Sequence, residues 1–147
     1  MTTLFVPGVP APQGSKGHVG GGRLVESSKK VGPWRAAVRA EVVRQRLAPL
    51  IGPVEVVAIY YFPRPSSHLK KDGTLRASAP RWAVSRALGD IEKLDRSTRD
   101  ALTAVDGIGA YLDDSQIVRG SHEKCYAQPG QRAGALITYR PLFLEPS

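Results

Sequence analysis

The apolar positions of the chain fall into patterned segments separated by stretches rich in glycine and proline. Residues 3–7, Thr-Leu-Phe-Val-Pro, predict a short opening strand. Trp34, Val38 and Val42 recur at i, i+4 and i+8, with Ala37 and Leu47 beside them. That stripe predicts a helix starting near Pro33, a residue favoured in the first helical turn, and ending before Pro49 and Gly52-Pro53. Residues 54–62 are β-branched and aromatic and, apart from Glu55, apolar on both faces, which predicts a central strand stopped by Pro63. A second helix is predicted over 91–105, with Leu94, Thr98, Ala101 and Val105 on its buried side and Leu102 adjacent. Strands are predicted at 116–126 and 133–139, and Pro129-Gly130 between them predicts that they pair as a hairpin.

Two long stretches carry no apolar period. Residues 8–32 contain Gly8, Pro10, Pro12, Gly14, Gly17 and the run Gly20-Gly21-Gly22, and read as a loop. Residues 63–88 read the same way, with Pro63, Pro65, Asp72-Gly73 and Pro80. The order strand, helix, strand, helix, strand, strand predicts one α+β domain over residues 1–147. It would have a mixed sheet of about four strands, two helices packed on it, and flexible basic loops at about 8–32 and 63–88. A length of 147 residues suits a single domain.

Composition narrows the function. The lone cysteine, Cys125, excludes a disulfide framework within the chain and a Cys-rich zinc site. No apolar run approaches the roughly 20 residues needed to cross a bilayer, and the first residues lack the pattern of a secretory signal. A cytoplasmic protein without a membrane partner is the expectation. The net charge is +8, which suits a polyanionic partner such as nucleic acid. Residues 1–88 hold 14 basic and 4 acidic side chains, whereas residues 89–147 hold 7 and 9. Seven of the 13 acids lie between Asp90 and Asp114. Carboxylates repel a polyanion, so this acidic island needs a reason, and a divalent metal or ordinary solvated charge would each supply one.

Candidate phosphate contacts are Lys16, Arg23, Lys29 and Lys30 on the first loop and Arg35 and Arg39 on the first helix. Lys70, Lys71 and Arg76 on the second loop and Lys93 on the second helix complete the set. The arginine row of the first helix reads more simply as a solvated face. Asp90 and Glu92 flank the start of the second helix, where the helix dipole alone would favour both charges. Asp113 and Asp114 lie just before a strand, and two exposed turn acids are the simple alternative to a site. If the two pairs meet, three carboxylates would supply the oxygen donors that Mg²⁺ prefers. Arg96, four residues after Glu92, would be either its ion-pair partner or a cation beside a reacting phosphate. His18, His68 and His122 show no metal-ligand spacing and read as surface or satisfied polar residues.

The stretches Asp90-Ile91-Glu92-Lys93-Leu94-Asp95-Arg96, Asp100-Ala101-Leu102-Thr103 and Leu112-Asp113-Asp114-Ser115-Gln116-Ile117-Val118 resemble, in order and spacing, the RusA family of Holliday-junction resolvases. The resemblance implies a small homodimeric endonuclease, of phage or prophage origin, acting in the bacterial cytoplasm. It implies cleavage of four-way and other branched DNA with Mg²⁺, or with Mn²⁺ in its place. It places metal-binding carboxylates at Asp90, Glu92 and Asp114 and the catalytic cation at Arg96. Three positions depart from the family's pattern. Glu92 stands where aspartate is usual, Arg96 where lysine is common, and Leu88-Gly89 where Lys-Pro is frequent, which implies a less rigid approach to the site. A non-catalytic DNA-binding accessory protein on the same scaffold, with the acids as helix caps, stays open.

Overall fold

A computed structural model describes residues 1–14, 16–19, 23–26 and 29–143, with only the backbone for 16–19 and 23–26. The elements are β1 (Thr2–Pro7), β2 (Lys16–Val19), β3 (Arg23–Glu26), α1 (Val31–Gln45), β4 (Val54–Phe62), α2 (Ile91–Leu102), β5 (Ile117–Tyr126) and β6 (Gly134–Pro141). β1, β6, β4 and β5 form one mixed sheet in that order, and β2 and β3 a separate two-stranded ribbon. The predicted class, an α+β domain with a four-stranded mixed sheet and two helices, is the observed one.

β4 is central, as its composition predicts. It pairs parallel with β5 and antiparallel with β6. Its even positions Val54, Val56, Ala58, Tyr60 and Phe62 are buried, and its odd positions are half-buried. The buried face meets Trp34, Val38 and Val42 of α1 and Leu94, Ala101 and Leu102 of α2 in one core. The Trp34 indole also donates to Thr98 Oγ1 at 3.0 Å, which ties the two helices together.

The expected β5–β6 hairpin does not form. Both strands flank β4 instead, because placing β4 between them gives both its edges a hydrogen-bonded partner. β5 becomes an edge strand whose middle is exposed. A parallel β4–β5 pair needs a crossover, which the 63–88 segment and α2 supply.

The first loop is also interrupted. β2 and β3 pair antiparallel from Lys16↔Glu26 to Val19↔Arg23, a ribbon of backbone bonds that no apolar period announces. The Gly20–Gly22 run and Ser27-Ser28 lie outside the described residues. The 63–88 segment carries 3₁₀ turns at Ser66–His68 and Arg86–Leu88. Backbone bonds from Ala83 N to Lys124 O (3.1 Å) and from Tyr126 N to Arg81 O (2.9 Å) hold it along the end of β5. Helix α1 starts at Val31, two residues before Pro33. α2 stops at Leu102, so Val105 falls in the following turn and is exposed. No helix among the described residues is long and apolar enough to cross a membrane.

Candidate active site at the start of the second helix

Asp90 is the N-cap of α2, with extended backbone angles, and its Oδ1 accepts from Lys93 N at 2.9 Å. This satisfies one of the donors that a helix start leaves unpaired. Glu92 follows in the exposed first turn and Arg96 one turn later. The approach to the helix is tightly held rather than loose. Gly89 has φ +85°, and a Cβ there would lie 2.4 Å from Pro12 Cγ. Its carbonyl accepts from Lys124 Nζ at 2.6 Å. Glycine, not proline, is therefore the residue this approach takes: its positive φ excludes proline, and its close packing excludes any side chain.

The second acidic pair divides its labour. Asp113 caps the 3₁₀ turn Asp114–Gln116, its Oδ1 accepting from Ser115 N at 2.8 Å. That backbone bond holds the Asp113 carboxyl below its ordinary range. Gln116 locks the same turn: its Oε1 accepts from Leu112 N and Asp113 N, and its Nε2 donates to the carbonyls of Leu50 and Gly52, all at 2.8–3.0 Å. Asp113 thus faces the backbone, whereas Asp114 lines a cleft.

That cleft, about 420 Å³, is bounded by Glu92, Asp95, Arg96, Arg99, Asp114 and His122. The structure therefore brings Glu92, Arg96 and Asp114 to one place from two parts of the chain. Glu92 and Arg96 form no ion pair, so the simple i, i+4 reading of Arg96 is not realised. Asp90 does not line that cleft. It lines a separate cleft of about 680 Å³ together with Lys29, Lys30, Arg86, Lys93 and Lys124. Among the described residues no three His, Cys, Asp or Glu side chains stand together as a metal cage. The fit to Mg²⁺ is accordingly that of a pair: Glu92 and Asp114 share a cleft open to water, and Mg²⁺ binds through one or two carboxylates while keeping several waters. Asp90, with one oxygen engaged as a helix cap, lines the other cleft.

Three residues of the acidic cleft, Asp95, Arg99 and His122, are not among those the sequence points to. Asp95 is 5% exposed and sits on the packed side of α2. Its Oδ1 accepts from the Tyr60 hydroxyl at 2.5 Å, its Oδ2 meets His122 Nδ1, and Arg99 Nη2 lies 3.7 Å from Oδ2. Burial above all, and then the Asp95 charge, hold the Tyr60 phenol well above its ordinary value. The signal is present in part: a carboxylate on the apolar side of an amphipathic helix has to find partners. Nothing local to the chain names them, since His122 is 27 residues away.

The candidate phosphate contacts do not share one setting. Lys29, Lys30 and Lys93 line the basic cleft beside Asp90, where Arg86 and Lys124 join them. Lys70, Lys71 and Arg76 are exposed on a turn closed by the Leu69↔Leu75 bridge and line neither cleft. The side chains of Lys16 and Arg23 lie outside the described residues. Arg35 is half-buried on α1. Arg39 differs from the expectation. Its Nη1 donates to the carbonyls of Thr103 (3.0 Å) and Ala101 (3.4 Å), at the end of α2 where helical partners run out, and to that of Ile108 (3.2 Å) in the turn that follows. Arg39 thus has a capping role at the end of α2.

No curated protein matches the chain. The family model described as Endodeoxyribonuclease RusA matches residues 6–134 and so spans both clefts together with α1, β4, α2 and β5. A match over so much of the chain, across the acids of α2 and of the 113–116 turn alike, shows that this protein belongs to the RusA endodeoxyribonuclease family.

Proposed function

We propose that the protein is a Mg²⁺-dependent endodeoxyribonuclease that resolves four-way DNA junctions as a homodimer. The observation that carries the reading is the pair of clefts at the start of α2: Glu92, Arg96 and Asp114 in one, and Lys29, Lys30, Arg86, Lys93 and Lys124 around Asp90 in the other. Basic side chains and the α2 N-terminus hold a phosphate backbone in the second cleft. The scissile phosphate then lies toward the first, where the Arg96 guanidinium offsets the charge that grows on its oxygens. Glu92 and Asp114 would hold the metal, with Asp90 as the third candidate ligand. A bound Mg²⁺ supplies a more acidic water and neutralises phosphate charge. Two cuts across a four-way junction call for two equivalent sites, which a symmetric dimer provides. Cleavage of a synthetic four-way junction with Mg²⁺, with Mn²⁺ and with a chelator tests the activity. A sedimentation mass of one chain, unchanged by junction, would remove the dimer.

A second reading keeps the DNA binding and drops the chemistry. It is favoured by the cap formed by Asp90 and by the lack of a three-ligand cage among the described residues. Junction binding with no metal-dependent nick in any arm would select it.

A further inference from the structure

We propose that His122 accepts the proton of the attacking water in the acidic cleft, and that Asp95 is the positioning residue that fixes its tautomer; the proposal rests on the nuclease reading above. A carboxylate as buried as Asp95 needs partners, and the kind of partner settles which atom carries which hydrogen. Tyr60, with its phenol held neutral, donates to Oδ1. Arg99, always protonated, lies 3.7 Å from Oδ2. Between a donor hydroxyl and a guanidinium, Asp95 is an acceptor, so His122 Nδ1 bears the hydrogen that meets it. A neutral imidazole has one N–H, which leaves the lone pair on Nε2.

That nitrogen has no hydrogen-bond partner among the described residues, and the ring lines the cleft shared with Glu92, Arg96 and Asp114. The exposures agree with a bridge from interior to water: the side chain of Asp95 is 7% exposed and that of His122 is 37%. The sheet places it there. His122 pairs with Ala58 on the helix-facing side of β5. Gly120, two residues earlier on that side, leaves room for the Arg99 guanidinium, which a Cβ would approach to 3.1 Å while lying 2.5 Å from Val56 O. The charged and titratable groups around the ring are Glu92, Asp95, Arg96 and Arg99 from α2, Asp114 from the 3₁₀ turn, and Tyr60 from β4 behind Asp95.

In the step so assigned, Nε2 takes a proton from water as the water oxygen bonds to phosphorus. The bond from phosphorus to one bridging ester oxygen breaks, its electron pair leaves with that oxygen, and the oxygen takes a proton from solvent. The imidazolium then returns its proton to solvent, and nothing is oxidised or reduced.

The test is single-turnover cleavage of a four-way junction with Mg²⁺, from about pH 5 to about pH 9, a range that brackets the imidazole. His122→Ala is expected to cut roughly 10²–10⁴-fold more slowly, to bind junction as before, and to lose the rise in rate through the imidazole range. Free imidazole should restore part of the rate. His122→Gln keeps a donor for Asp95 but has no basic nitrogen, so it should fold like the parent and stay slow; it carries the test should the alanine variant fail to fold. Asp95→Asn should slow the reaction less and displace the pH profile. Parent-like rates in His122→Gln overturn the proposal, as does a slow variant with an unaltered pH profile and no rescue, which is what a purely structural pair would give. A parent protein that cuts no junction with Mg²⁺ or Mn²⁺ overturns the nuclease reading itself, whereas an active parent with an active His122→Gln variant overturns only the role of His122.

Discussion

Arg39→Ala separates a structural arginine from a candidate phosphate contact, Arg35, on the same helix. Its guanidinium caps the end of α2, and of its contacts those to Thr103 O at 3.0 Å and Ile108 O at 3.2 Å have the better geometry. A hydrogen bond to a charged group contributes about 1.5–3 kcal/mol when well buried. Arg39 is only half-buried, so water reaches the freed carbonyls in the variant. Halving two such bonds gives a loss of about 2 kcal/mol, with the helix-dipole contribution already inside it. For a domain of this size that is a fall in Tm of roughly 4–8 °C. Urea unfolding should show the midpoint drop with an unchanged m-value, since the surface exposed on unfolding is the same. Arg39→Lys should fall between, because lysine keeps the charge but lacks the second nitrogen, which also donates to Ile108 O at 3.3 Å. Arg35→Ala, which removes no such bonds, should stay within about 0.5 kcal/mol of the parent. The salt dependence of junction binding should separate the pair the other way: unchanged for Arg39→Ala and shallower by about one phosphate contact for Arg35→Ala. Equal stability of the two alanine variants would refute the capping role.

Three further outcomes follow from the same geometry. Asp114→Asn should lower Mg²⁺-dependent junction cleavage by several orders of magnitude while binding survives, whereas Asp113→Asn, in which asparagine still caps the turn, should cleave like the parent; single-turnover rates of the two decide it. Replacing Lys29 and Lys30 by alanine should flatten the salt dependence of junction binding more than replacing Lys70 and Lys71, because only the first two line the cleft beside Asp90; equal slopes would move the DNA path. Burial raises the Tyr60 and Tyr111 phenols above their ordinary value of 10.0, so the unfolded chain loses protons above pH 10 that the native protein keeps. The stability these phenols contribute is intact below pH 10 and falls as the pH rises beyond it. In Tyr60→Phe the alkaline slope of unfolding free energy against pH should be shallower.

Much of the site is legible in the sequence because its informative residues are neighbours along the chain. The 90–118 motif places a cap, a first-turn acid and a cation on one helix start, and the i, i+4 stripe of Trp34, Val38 and Val42 declares α1 from contacts within two turns. β4 declares itself by being apolar on both faces. What the chain cannot declare are relations whose free energy is gained only on assembly. Whether β5 pairs with β6 or with β4 depends on which arrangement satisfies both edges of the central strand, and the turn residues Pro129-Gly130 are compatible with either. Asp113 and Asp114 look alike in sequence and part company only because Ser115 N and Gln116 anchor one of them. Arg39 reads as part of a solvated row until the end of α2 arrives beside it, and His122 reads as a lone surface histidine until the sheet register sets it against Asp95. Local patterns follow from the periodicity of the backbone. Partners drawn from distant parts of the chain, and so the division of the site into an acidic and a basic cleft, are decided by how the sheet and helices bury their faces together.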